Sequence, residues 1–202
     1  MKQCFSFIAR TYPNRPGLDL CTPDSHYWMI DDGHITGLRE GMPRRSWTNV
    51  APSFIGLEWD LPRWGFDVAK MPRLVMLNIE RMDNWHDCKP GMIEIVNQIR
   101  AIREDVTICL YGHAGIEHAV GIVDALTHGC NHVARTNAII PPDIIPTLHP
   151  GEYTVGDTAI AMRRLHEQGH KTLLLWEVCS HQQYQATVDA HAALSKAWRE
   201  MV

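Results

Sequence analysis

The chain reads as an α/β protein in which parallel strands alternate with helices, folded as a short or incomplete (β/α) barrel with an extra N-terminal β-hairpin. Three observations predict this. From residue 73 onward, short β-rich apolar runs alternate with amphipathic helical patterns, as βα units feeding a parallel sheet do. The carboxyl ends of those runs carry acids and aromatics, where parallel folds gather their chemistry. The length of 202 residues falls short of the roughly 250 that a full eightfold TIM-type barrel takes, so one domain over residues 1–202 with strands missing is expected.

Each element has its own justification. Residues 3–9 form a first strand candidate, and 27–38 have the form of a β-hairpin turning at Asp32-Gly33. Asp31-Asp32-Gly33 reads as a turn, not a calcium loop, because no DxDxDG series follows. Residues 53–60 make a strand ending in two acids and an aromatic, and 73–80 a buried strand. A helix then starts at Pro90 and carries Met92, Ile95, Val96, Ile99 and Ile102 at helical spacing.

Residues 106–111 are the next strand, and 115–127 a helix with Ile116, Val120, Val123 and Leu126 on one face, stopped by Gly129. A weaker strand follows at 132–136, then a Pro-rich loop at 141–150 by the mouth of the domain. Residues 157–168 are helical, with Ile160, Met162 and Leu165 apolar and Gly169 as the stop. A strand over 172–178 and a closing helix over 182–200 complete the chain. An open doubly wound sheet is the rival architecture, but the sequence has neither GxGxxG nor GxxxxGK[ST] to support a nucleotide site.

Composition narrows the function classes. A net charge of −4, with 19 basic residues spread along the chain, gives no electrostatic footprint for nucleic acid. No apolar stretch approaches the roughly 20 residues that cross a bilayer, and the apolar start breaks at Arg10 before an export signal can form. A soluble, cytoplasmic protein is the expectation, with no membrane partner. None of Cys4, Cys21, Cys88, Cys109, Cys130 and Cys179 lies in a CxxC pair, which suits reduced, buried thiols. Twelve histidines invite a metal, yet no HExxH occurs, and the intervals 128–132 and 166–170 each cross a glycine; no metal or other cofactor is expected.

The predicted rim is rich in functional side chains. The strand at 53 delivers Glu58, Trp59 and Asp60; the strand at 73 delivers Asn78 and Glu80, with Trp85 following. Tyr111 and His113, then Arg135, then Trp176 and Glu177 come from the later strands. Glycoside hydrolysis needs two carboxyl groups flanking the scissile bond, one protonated and one ionised. Glu80 and Glu177 form the best pair, each after an apolar run that anchors it and each near a tryptophan able to stack on a sugar face.

The runs Leu74-Val-Met-Leu-Asn-Ile-Glu80, Val106-Thr-Ile-Cys-Leu-Tyr-Gly112 and Thr172-Leu-Leu-Leu-Trp-Glu177 resemble the strands of glycoside-hydrolase-like barrels over about residues 53–178. In those proteins one strand ends in Asp-x-Glu and the next in Tyr-Gly. The resemblance implies a carbohydrate-active hydrolase with Glu80 as general acid/base and Glu177 as nucleophile or second carboxylate. Trp59, Tyr111 and Trp176 would then form the sugar-contacting surface. Asn78 stands where the family pattern has Asp; Asp60 or Glu58 could supply that carboxylate, or Asn78 could bind a sugar hydroxyl.

Two rivals stand beside this reading. One is a non-catalytic barrel that binds a glycan or another protein, as a homo-oligomer or within a larger assembly. The other is a metal-dependent hydrolase using Glu58, Asp60 and Glu80 with some of His113, His132 and His181.

Overall fold

The structure is a computed structural model that describes residues 2–12, 15–20, 27–31, 69, 71–78, 85–112, 116–180 and 182–201. It is α/β with parallel strands and few helices. The chain divides into two compact units, Tyr27–Leu126 and the combination of Met1–His26 with Thr127–Val202.

In the unit Tyr27–Leu126, β3 (Trp28–Asp31), β4 (Leu74–Asn78) and β5 (Thr107–Tyr111) lie side by side and parallel. Leu74, Val75, Met76 and Leu77 are all buried, as expected of a strand covered on both faces. Helix α1 (Trp85–Ile102) buries Met92, Ile95, Val96 and Ile99, an apolar stripe at 3–4 residue spacing. Asp124 ties this helix to the sheet: its carboxylate accepts from Arg100 at 2.8 Å and from the Ile108 N–H at 2.7 Å.

The other unit carries an antiparallel pair at its start, β1 (Gln3–Tyr12) with β2 (Arg15–Leu20). β1 then pairs in parallel with β8 (Thr172–Ser180), and β8 with β7 (Ile144–Leu148); β6 (Ala125–Gly129) follows β7 in the strand order. Helix α2 (Val155–Glu167) starts at Thr154, whose hydroxyl accepts the Asp157 N–H at 3.1 Å. Its buried stripe is Thr158, Ala161, Met162 and Leu165. The helix stops at Gly169, which adopts the left-handed conformation at φ 89°. Just before it, Gln168 accepts the Ile140 N–H and donates to the Ala138 carbonyl, both at 2.9 Å, pinning the segment before β7. Helix α3 (Tyr184–Glu200) closes the unit and buries His191, Ser195 and Trp198.

Several expectations are corrected. Residues 115–127 are not a helix: a short 3-10 turn, Ile116–Ala119, gives way at Gly121 (φ 86°) to the approach of β6. Val120 is accordingly 68% exposed, although its spacing from Val123 and Leu126 mimics a helical face. Residues 132–136 are not a strand, because Asn131–Ala134 coil into a 3-10 turn that buries Asn131, Val133 and Ala134. The Pro-rich segment 141–150 contains β7; its ladder to β8 runs through Thr147 and Leu148, just beyond Pro146, which has no N–H to donate.

The strand at 27 pairs in parallel with β4, and the N-terminal antiparallel pair is instead β1 with β2; the expected return strand at 34–38 lies outside the described residues. Helix α1 begins five residues before Pro90, which sits inside it. Ile102 and Ile160, assigned to apolar faces, are 42% and 41% exposed. Cys4, Cys109, Cys130 and Cys179 are buried thiols, as expected. The strand at 53–60 lies outside the described residues.

Candidate functional site

The sequence placed its site at the carboxyl ends of the parallel strands, and each unit has such an end. In the unit Tyr27–Leu126, register sets Asp31 beside Asn78 and Asn78 beside Tyr111 across the three strand ends. Two predicted residues, Asn78 and Tyr111, thus occupy adjacent backbone positions, with Tyr111 half-buried. Asp31, which the sequence assigned to a turn, ends the neighbouring strand. Trp85 is the first residue of α1. Glu58, Trp59, Asp60, Glu80 and His113 lie outside the described residues.

The other unit shows its rim in more detail. β8 continues to Ser180, so Trp176 and Glu177 lie within the strand and not at its last residue. Successive strand residues face opposite sides of a sheet. Ile8 pairs with Glu177 and Ser6 with Leu175, and Ser6 is bonded to His191 of α3. Glu177 therefore leaves the sheet on the face that α3 covers. Trp176 leaves it on the opposite face, in line with Leu174 and its partner Thr147, whose hydroxyl bonds that of Thr127 at 2.6 Å. Two adjacent residues assigned to one sugar cleft thus start from opposite sides of the strand.

Both are met by the segment after β7. The His149 ring packs edge-on against Trp176, with centroids 4.5 Å apart and planes at 62°. Burial pushes the His149 imidazole below the usual histidine range, while Glu152 pulls it back up, so its neutral form is the one favoured. Two residues on, the Gly151 N–H donates to the Glu177 carboxylate. A Cβ at Gly151 would overlap that carboxylate, so a side chain there would displace the Glu177 carboxylate from the amide.

The segment is itself held from below. Asn131, buried in the 131–134 turn, accepts the His149 N–H at 2.9 Å and donates to the His149 carbonyl at 3.4 Å. Arg135, at the end of that turn, pairs with Asp157 at 2.5 Å and lies 5.9 Å from the centroid of the Tyr153 ring. The pairing holds the Asp157 carboxyl below its ordinary range and raises the Arg135 guanidinium above its own.

Of the residues singled out from the sequence, Trp176 and Glu177 contact the segment after β7 and Arg135 ends the turn that holds it, whereas Asn131, His149 and Gly151, which make these contacts, were not singled out. Asn131 lies just before the stretch read as a weak strand, His149 lies in the Pro-rich loop 141–150, and no spacing marks either. The Pro150-Gly151 turn was the one local signal. The Trp176 indole N–H is buried and has no acceptor among the described residues. Among the described residues no group of three or more His, Cys, Asp or Glu is arranged to hold a metal, and no helix is long and apolar enough to cross a membrane. No protein-family model, curated protein or solved structure matches this chain.

Proposed function

We propose that this is a carbohydrate-active protein on a short (β/α) TIM-type barrel frame, with glycosidic bond hydrolysis as its reaction. The observation that supports it is the Trp176 rim. A half-buried indole, packed edge-on against His149, keeps a buried N–H with no acceptor among the described residues, beside a carboxylate held by a main-chain amide. Aromatic faces stack on sugar rings and indole N–H groups bond to hydroxyls. In this reading Glu177 is the carboxylate of the site and Arg135 contacts substrate.

A panel of aryl glycosides and oligosaccharides tests it. Turnover by the wild type, reduced at least about 100-fold in Glu177→Gln, is the expected result. Wild-type silence across the panel, or full activity in Glu177→Gln, overturns the hydrolase.

A second reading, a non-catalytic glycan-binding protein, is favoured by one specific observation: Glu177 starts from the helix-covered face and its carboxylate is engaged by Gly151. In that case a glycan array retains ligands that Trp176→Ala loses and Glu177→Gln keeps.

A further inference from the structure

The closing helix is built differently from the others. The residues of α3 that face the sheet are His191, Ser195 and Trp198, at 2%, 2% and 0% exposure. They pack on the stripe of β1 formed by Cys4, Ser6 and Ile8, all buried. The Ser6 hydroxyl and His191 Nδ1 share a hydrogen bond across this interface. The other ring nitrogen, Nε2, is buried and has no partner among the described residues. A neutral imidazole with one bond satisfied can sit there; an imidazolium, with N–H groups on both nitrogens, would bury a charge with no acceptor at Nε2.

We propose that the His191–Ser6 contact is an acid-sensitive latch: protonation of His191 releases α3 from β1 and β8 and uncovers that face of the sheet.

The surroundings offer an imidazolium little compensation. From β1 come Cys4, Ser6 and Ile8, with burial pushing the Cys4 thiol up to about 11 against Ser195 and Arg199. From β8 come Leu173 and Leu175, then Glu177, which receives the Gly151 N–H, and the Cys179 thiol. From α2, His166 meets the Trp198 ring at 6.4 Å. On α3 itself, Asp189 takes a bond from Gln185, and Lys196, Arg199 and Glu200 are exposed.

Burial brings the His191 imidazole down to about 4, from 6.5. The released helix binds a proton in the ordinary range and the docked helix does not, so release grows as the pH falls between those two values. One proton gives a change of about 10-fold per pH unit within that window, none above it, and none once both states are protonated.

The test is hydrogen exchange by mass spectrometry on the whole protein between pH 7 and 4, corrected for the intrinsic exchange rate. Peptides of α3 and β1 in the wild type should lose protection progressively within the window, while those of α1 keep theirs. In His191→Asn the dependence should disappear. A second measurement, histidine NMR titration of the wild type, does not need a folded variant: His191 should stay neutral while the helix is docked. Either an α3 protection that ignores pH, or a His191 that titrates in the ordinary range with α3 still protected, overturns the latch.

Discussion

Helices α1 and α3 have similar length and cover sheet in their respective units, yet they bury opposite chemistry. α1 turns Met92, Ile95, Val96 and Ile99 inward, whereas α3 turns in His191, Ser195 and Trp198. Apolar burial is indifferent to pH and forgiving of small shifts, because dispersion and hydration have no direction. A buried imidazole bonded to a hydroxyl depends on its protonation state and on one geometry. The difference teaches that amphipathic spacing sets where a helix lies, while the residues in the stripe decide under which conditions it stays.

The largest expected effects break this comparison by truncation. Trp198→Ala should cost about 3–5 kcal/mol, and Ile99→Ala about 2–5 kcal/mol, measured by urea unfolding at pH 7.5. Trp198 combines full burial with its indole N–H to the Lys171 carbonyl at 3.4 Å, so it anchors α3 for which the polar residues supply little apolar area. A loss well under 1 kcal/mol in Trp198→Ala would mean that α3 contributes little to the unit.

Next in size is the acid dependence of stability. A neutral buried histidine makes the unfolded state bind more protons than the folded one, so stability falls with decreasing pH. The slope is at most about 1.4 kcal/mol per pH unit, confined to the window between 6.5 and about 4. Unfolding of wild type and His191→Asn at a series of pH values separates this contribution from carboxylate protonation, which both share. Parallel curves would show that His191 contributes nothing to the difference between the helices.

The same contrast explains what the sequence made legible. The stripe of α1 was readable because aliphatic residues recur at helical spacing with nothing else to explain them. β1, β4, β5 and β8 were readable as apolar runs, though β1 and β8 run on to Tyr12 and Ser180. β6 was missed because Val120, Val123 and Leu126 carry helical spacing by coincidence, and the decisive residue, Gly121, acts through its backbone. β7 was hidden by Pro146 inside it and by the prolines at 141, 142 and 150 around it. At the site, the tryptophan and the acid were visible as residue types; Asn131 and Gly151 were not, because their contribution is a contact made by the main chain of a distant segment.

A smaller effect probes that invisible support. Asn131→Ala removes both hydrogen bonds from the buried Asn131 side chain to His149, for a loss of about 1–3 kcal/mol. If the turn at 149–152 positions Glu177, the variant should also lower turnover or glycan affinity, and Asn131→Asp, which keeps an acceptor for the His149 N–H, should restore part of it. A loss of stability without any functional change would confine Asn131 to packing.

The smallest expected effect lies on the surface. Arg135 was chosen from the sequence as a substrate contact, and it is 65% exposed, paired with Asp157 and placed over Tyr153. Water and salt screen such a pair, and two side chains must be held to keep it, so Arg135→Ala should leave the unfolding midpoint unchanged within error at 0.15 M salt. That expectation makes Arg135 an informative functional probe: any change in glycan turnover or binding in the variant reports contact with the ligand and not a loosened fold. A marked drop in stability would instead assign Arg135 to the scaffold, joining the 131–134 turn to the start of α2, and remove it from the substrate surface.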